Sequence, residues 1–118
     1  MFDKLYHYKA KVTRVVDGDT FDVSIDAGFD THIEKRLRLH GINAYETRKT
    51  KGVTDEQKRL GIECREKLKD LLEGQEVIIR TFKDKPGKYG RLLCVVYFGE
   101  ITVNDWIVEN GFGCYQEY

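Results

Sequence analysis

Apolar and polar residues alternate from Tyr8 to Val16, a stretch that also holds the β-branched residues Val12, Thr13, Val15 and Val16. Such a period of two predicts a strand with one buried face. Asp17-Gly18-Asp19 is a turn signal, and Thr20 to Ile25 alternates again, so the two strands are expected to form a hairpin. Gly28-Phe29-Asp30 marks the next turn. Glu34 to His40 reads as a third strand, with Leu37 and Leu39 on one face and Arg36, Arg38 and His40 on the other. Gly41 to Val53 has no period and reads as a long loop. Thr54-Asp55-Glu56-Gln57 has the form of a capping box, and Leu60, Cys64, Leu68, Leu71 and Leu72 follow at helical spacing until Gly74 ends the helix. Gln75 to Phe82 reads as a fourth strand, and Pro86-Gly87 opens a loop. Leu92 to Phe98, apolar on both faces, reads as a central fifth strand, and Val103 to Asn110 as a short helix stopped by Gly111.

Three strands, a helix, two strands and a second helix predict a mixed α+β chain, mainly β. The expected architecture is a five-stranded Greek-key barrel of the oligonucleotide-binding (OB-fold) type with two helices. With 118 residues and neither linker nor repeat, residues 1–118 are expected to form one domain. No apolar run is long enough to span a bilayer, and Met1 to Tyr8 lacks the apolar stretch of a secretory signal. The reading is a cytoplasmic protein with no membrane partner. Cys64, Cys94 and Cys114 form an odd set without short paired spacing. Cys64 and Cys94 are expected as buried reduced thiols, and Cys114 as an exposed one.

Charge changes the picture only locally. Twenty Lys and Arg balance twenty Asp and Glu, so the formal net charge is zero. A protein gripping nucleic acid over a broad face is usually basic. Yet residues 33–51 carry Lys35, Arg36, Arg38, Arg48, Lys49 and Lys51 against Glu34 and Glu46, and residues 80–91 carry Arg80, Lys83, Lys85, Lys88 and Arg91 against Asp84. A compact basic site fits this distribution; a broad basic face does not.

Within these stretches lie the residues with candidate chemistry. Asp17 and Asp19 flank a glycine turn and can offer hard oxygen ligands to calcium, or be an ordinary turn. Arg38 can fork onto a phosphate while Glu46 holds or deprotonates a water, or both can be surface charges. Lys88-Tyr89-Gly90-Arg91 offers a guanidinium for a phosphoryl transition state and a ring for stacking. Asn104 is expected to bond backbone near the start of its helix.

Val16-Asp17-Gly18-Asp19-Thr20, Arg36-Leu37-Arg38-Leu39-His40-Gly41-Ile42-Asn43-Ala44-Tyr45-Glu46, Lys88-Tyr89-Gly90-Arg91 and Val103-Asn104 with Gly111, in this order, resemble the staphylococcal nuclease family from about Tyr8 to about Cys114. The resemblance implies a calcium-dependent, sequence-non-specific nuclease of DNA or RNA that leaves 3′-phosphate ends. It implies that Asp19 binds one calcium ion with Asn43 and the Ala44 carbonyl, and that Asp17 is the neighbouring acid of the same turn. Arg38 and Arg91 match the arginines that hold the scissile phosphate, Glu46 the glutamate at the metal-bound water, and Lys88 and Tyr89 contacts to a terminal phosphate. The implied partner is nucleic acid, single strands preferred, met by a monomer.

Two departures stand out. Asn43 replaces an expected carboxylate, which removes one negative charge from the metal site and predicts weaker calcium binding. Tyr45 replaces an expected proline, which predicts a less firmly held Glu46. The family also implies a further C-terminal helix beyond the region of Gly111. An alternative follows from Asn43 and the zero net charge: the same barrel binding nucleic acid without cutting it.

Overall fold

A computed structural model of the chain describes residues 5–47, 52–86 and 92–116. The alternating segments are strands β1 (His7–Asp17), β2 (Thr20–Asp26) and β3 (His32–Leu39), joined as antiparallel neighbours. Their inward rows are Ala10, Val12 and Val15, then Phe21, Val23 and Ile25, then Leu37 and Leu39, all nearly inaccessible to solvent. The inward set of β1 moves from even to odd positions because the register shifts between Val12 and Arg14. Such a bulge bends and twists a strand, and it lets β1 serve two sides of a closed sheet. A second shift, between Val15 and Asp17, lies at the turn that carries both aspartates.

Strand β5 (Glu76–Pro86) pairs with β1 on one side and with β6 (Leu92–Phe98) on the other. β6 in turn pairs in parallel with β3, placing Leu37 beside Leu92 and Leu39 beside Cys94. The order β3-β2-β1-β5-β6 thus returns to β3 and closes a five-stranded barrel, the architecture read from the sequence. β5 runs to Pro86, beyond the Phe82 expected from periodicity.

Helix α1 (Asp55–Leu72) begins at the predicted box. The Thr54 hydroxyl accepts the Gln57 N–H, and the Gln57 side chain accepts the Thr54 N–H. Gly61, Cys64, Leu68 and Leu72 form its buried stripe, and each fully buried leucine contributes about 1.5–3 kcal/mol. After Glu73, Gly74 takes φ +81°, the left-handed step that ends the helix, and its N–H donates to the Val12 carbonyl beside the β1 bulge.

The segment 41–53, read as loop throughout, holds strand β4 (Ile42–Ala44). It pairs with β8 (Gly113–Tyr115), after the short β7 (Ile101–Thr102) and helix α2 (Val103–Glu109). Three-residue strands lack a visible period, so this pairing has no local signal. Gly113 permits it, because a Cβ there would lie 2.5 Å from the Asn43 carbonyl oxygen. Asn104 of α2 does bond backbone, but across the molecule rather than at its own helix start. Its Oδ1 accepts the Val96 N–H at 3.0 Å, and its Nδ2 donates to the His40 and Cys94 carbonyls at 2.8 and 3.2 Å. Among the described residues no helix is long and apolar enough to cross a membrane.

Candidate active site

The turn between β1 and β2 is pressed onto two other elements. A Cβ on Gly18 would meet Cys64 Sγ of α1 at 2.9 Å and Ala44 Cβ of β4 at 3.1 Å. Only glycine lets the turn lie this close, and the contact fixes the two aspartates relative to β4. The Asp19 carboxylate is then held from three directions. Its Oδ1 accepts the Thr20 hydroxyl at 3.1 Å, its Oδ2 accepts the Ala44 N–H at 3.1 Å, and Oδ2 lies 3.0 Å from Arg38 Nη1.

Strand alternation brings Arg38 there, since it sits opposite Thr20 in the β2–β3 register. Its row-mate Arg36 is taken by Asp22, two nitrogens meeting two carboxylate oxygens at 2.7 and 3.2 Å. Arg38 instead donates from Nη2 to Asn43 Oδ1 at 3.0 Å. Its side chain is 13% exposed and that of Asp19 15%. The Nη1 contact is an ion contact without hydrogen-bond alignment, so this buried nitrogen has no hydrogen-bond partner among the described residues. The Asp19 carboxylate at 3.0 Å compensates the charge on this side, and the hydrogen bond to Asn43 fixes the other, so the guanidinium is held in one position.

Glu46 stands on a segment pinned at both neighbours. The Tyr45 N–H donates to the Phe112 carbonyl at 2.9 Å, and the Thr47 hydroxyl donates to Asp17 Oδ1 at 2.8 Å. From below, α1 closes against it: a Cβ on Gly61 would overlap the Glu46 carbonyl oxygen and lie 2.6 Å from that of Tyr45. The loosening expected from losing a proline is therefore opposed by a hydrogen bond that proline could not make. The Glu46 side chain is exposed and makes no hydrogen bond or ion pair with the described residues. Asp19, Arg38 and Asn43 are brought together. Glu46 is held nearby through backbone and through Asp17. Lys88, Tyr89 and Arg91 lie outside the described residues.

Sequence reasoning missed Thr47 and Gly61. A glycine inside a helix costs roughly 1 kcal/mol against alanine, and that cost was the available signal for a close approach. Thr47 carried none.

The side-chain oxygens that Arg38 gathers here, the Asp19 carboxylate and Asn43 Oδ1, have the chemistry that suits a hard divalent cation rather than zinc or copper. No group of three His, Cys, Asp or Glu side chains gathers among the described residues.

The thiols are as expected. Cys64 and Cys94 are buried and Cys114 is exposed. Burial first, and then the Asp19 and Glu63 carboxylates, push the Cys64 thiol up to about 12, and burial alone does the same to Cys94. At neutral pH a maleimide should therefore label the native protein once, at Cys114, and three times after denaturation; native labelling at Cys64 would contradict the packing beneath Gly18. Raised folded values also mean that both thiols favour the fold below the unfolded thiol range of about 8.5, and that this contribution is lost as pH rises toward about 12.

The family described as "Staphylococcal nuclease homologue" matches residues 36–118. The chain belongs to this family. The match takes in Arg38, Asn43, Glu46, Lys88, Tyr89 and Arg91, while Asp17 and Asp19 join the site through the fold. A thermonuclease of Staphylococcus hyicus is 31% identical over 101 residues, covering 86% of this chain and 55% of that protein. An uncharacterized protein of Bacillus anthracis is 30% identical over 106 residues, covering 89% of this chain and 46% of the relative. The chain thus spans about half the length of the curated relatives it matches.

Proposed function

We propose that this member of the family is a phosphodiesterase of DNA or RNA, assisted by one calcium ion and leaving 3′-phosphate ends. The observation that carries the reading is the part-buried Arg38, fixed between Asp19 and Asn43 beside the turn that carries both aspartates. A guanidinium fixed in this way places a positive charge where a phosphodiester would sit, and its attraction grows as negative charge builds on the phosphate.

Asp19, Asn43 Oδ1 and the Ala44 carbonyl would hold the ion. When bound, it would supply Lewis-acid polarisation of the phosphate and acidify a water. The chain's own groups do the rest. Arg38, with Arg91 as its expected partner, binds and orients the phosphate. Glu46, its backbone fixed by Thr47, Phe112 and α1, takes the proton of the attacking water. The water oxygen bonds to phosphorus, the bond from phosphorus to the 5′ oxygen breaks, and that oxygen gains a proton. The ends are a 3′-phosphate and a 5′-hydroxyl.

Asn43 supports a second reading, a module that binds without cutting, because an amide stands where a charge would strengthen the ion site, and its oxygen is engaged by Arg38. A calcium titration of cleavage separates the two. The native protein should cut with a high calcium requirement, and Asn43→Asp should lower that requirement by roughly tenfold through the added ligand charge. Cleavage by the aspartate variant alone would assign the natural protein to the binding module, and cleavage by neither would sink the nuclease reading.

A further inference from the structure

The outer face of β5 and β6 is unusual for a chain without net charge. Inward residues Val77, Ile79, Cys94 and Val96 are buried, while Ile78, Arg80, Phe82 and Tyr97 point outward. The outward groups are ordered in pairs. His7 of β1 stacks on Tyr97 with ring centres 6.4 Å apart and planes at 23°. The Arg80 guanidinium lies 5.2 Å from the centre of the Phe82 ring. The His40 ring, reaching across from the end of β3, lies 4.3 Å from Phe82.

Arg80 forms no ion pair with the described residues, unlike the neighbouring Lys9, which Glu76 neutralises at 3.0 Å. An exposed guanidinium supported by a ring can donate to a phosphate, and rings set along a strand are stacking platforms for bases. The strip also leads somewhere. β6 pairs in parallel with β3, placing Leu93 beside Arg38, and His40 follows Arg38 by two residues on the same face. From Tyr97 to the level of Arg38 is four residues of β6, about 13 Å of strand.

We infer that this face is a track for a single strand of nucleic acid, in which Tyr97 and Phe82 stack on bases and Arg80 meets a phosphate, directing the chain toward Arg38. Unpaired bases are required, because only they offer their faces to the rings. The inference rests on the nucleic-acid reading above for the class of ligand, but not on cleavage.

Its test is therefore binding in chelator, followed by the fluorescence anisotropy of a labelled oligothymidylate. Arg80→Glu and Tyr97→Leu should each weaken binding about tenfold, and Arg80→Glu should lower the slope of log affinity against log salt by about 0.7. Arg59→Glu on the exposed side of α1 is the electrostatic control and should change little. Circular dichroism melts establish that each variant is folded, and Arg80, whose side chain leaves the core untouched, carries the test if Tyr97→Leu is not. Unchanged binding by folded Arg80→Glu overturns the track, as does an equal loss in Arg59→Glu or an equal Tyr97→Leu loss on duplex DNA. Weakened binding by a protein that never cleaves would leave the track standing while the nuclease reading fell.

Discussion

Lysine in place of Arg38 should lower kcat by about a hundred- to a thousandfold while the barrel stays folded. The size follows from geometry. Arg38 Nη2 bonds Asn43 Oδ1 while Nη1 faces Asp19 Oδ2, so the two arms of one planar group span two elements. An ammonium ion can satisfy one of these oxygens but cannot span both elements, so its charge is no longer fixed where a phosphate would sit. Stability should fall by only about 1–2 kcal/mol, because the positive charge near Asp19 is kept. Alanine is the harsher change, since it strands the part-buried Asp19 carboxylate without its cation. Single-turnover cleavage at saturating calcium, beside a thermal melt, measures both effects. A folded Arg38→Lys protein with native turnover would remove the fork from the account.

Alanine at Gly61 should destabilise the fold by about 1–3 kcal/mol and depress turnover by as much as a hundredfold. The usual expectation has the opposite sign, because glycine inside a helix is roughly 1 kcal/mol worse than alanine. Here the added Cβ would overlap the Glu46 carbonyl oxygen and crowd that of Tyr45, and both are backbone atoms held by further bonds. Tyr45 is tied to Phe112 and Thr47 to Asp17, so the segment cannot yield without moving Glu46 or disturbing the aspartate turn. Melting curves and turnover should fall together. A Gly61→Ala protein more stable than the native one would show that α1 does not press on this segment.

Much of the barrel could be read from period and punctuation. The alternation around Leu37 and Leu39 put Arg38 off the core face, and Thr54 with Gln57 marked the start of α1. What escaped depends on contacts between residues far apart in sequence. β4 and β8 are three residues each, too short for a pattern, and they exist because Gly113 admits the Asn43 backbone. The bulge after Val12 lies hidden in a run that alternates well enough to pass as regular. Asn104 could be read as structural, yet its partners, Val96, His40 and Cys94, become neighbours only once α2 packs on the barrel. At the site, the residue types were visible, but the pairing of Arg38 with both Asp19 and Asn43 was not, since it needs the β2–β3 register and the β4 strand together. Tyr45 shows the limit most clearly. As a substitution for proline it suggests looseness, and in the fold it supplies a hydrogen bond.

The most direct test of phosphodiester hydrolysis at this site is the chemistry of the ends made from a single-stranded oligonucleotide in calcium and in chelator. In calcium the fragments should bear 3′-phosphates and 5′-hydroxyls, and in chelator the oligonucleotide should stay intact. Intact substrate in both, from folded protein that still binds it, would contradict the account, as would chelator-resistant products or fragments ending in 3′-hydroxyls.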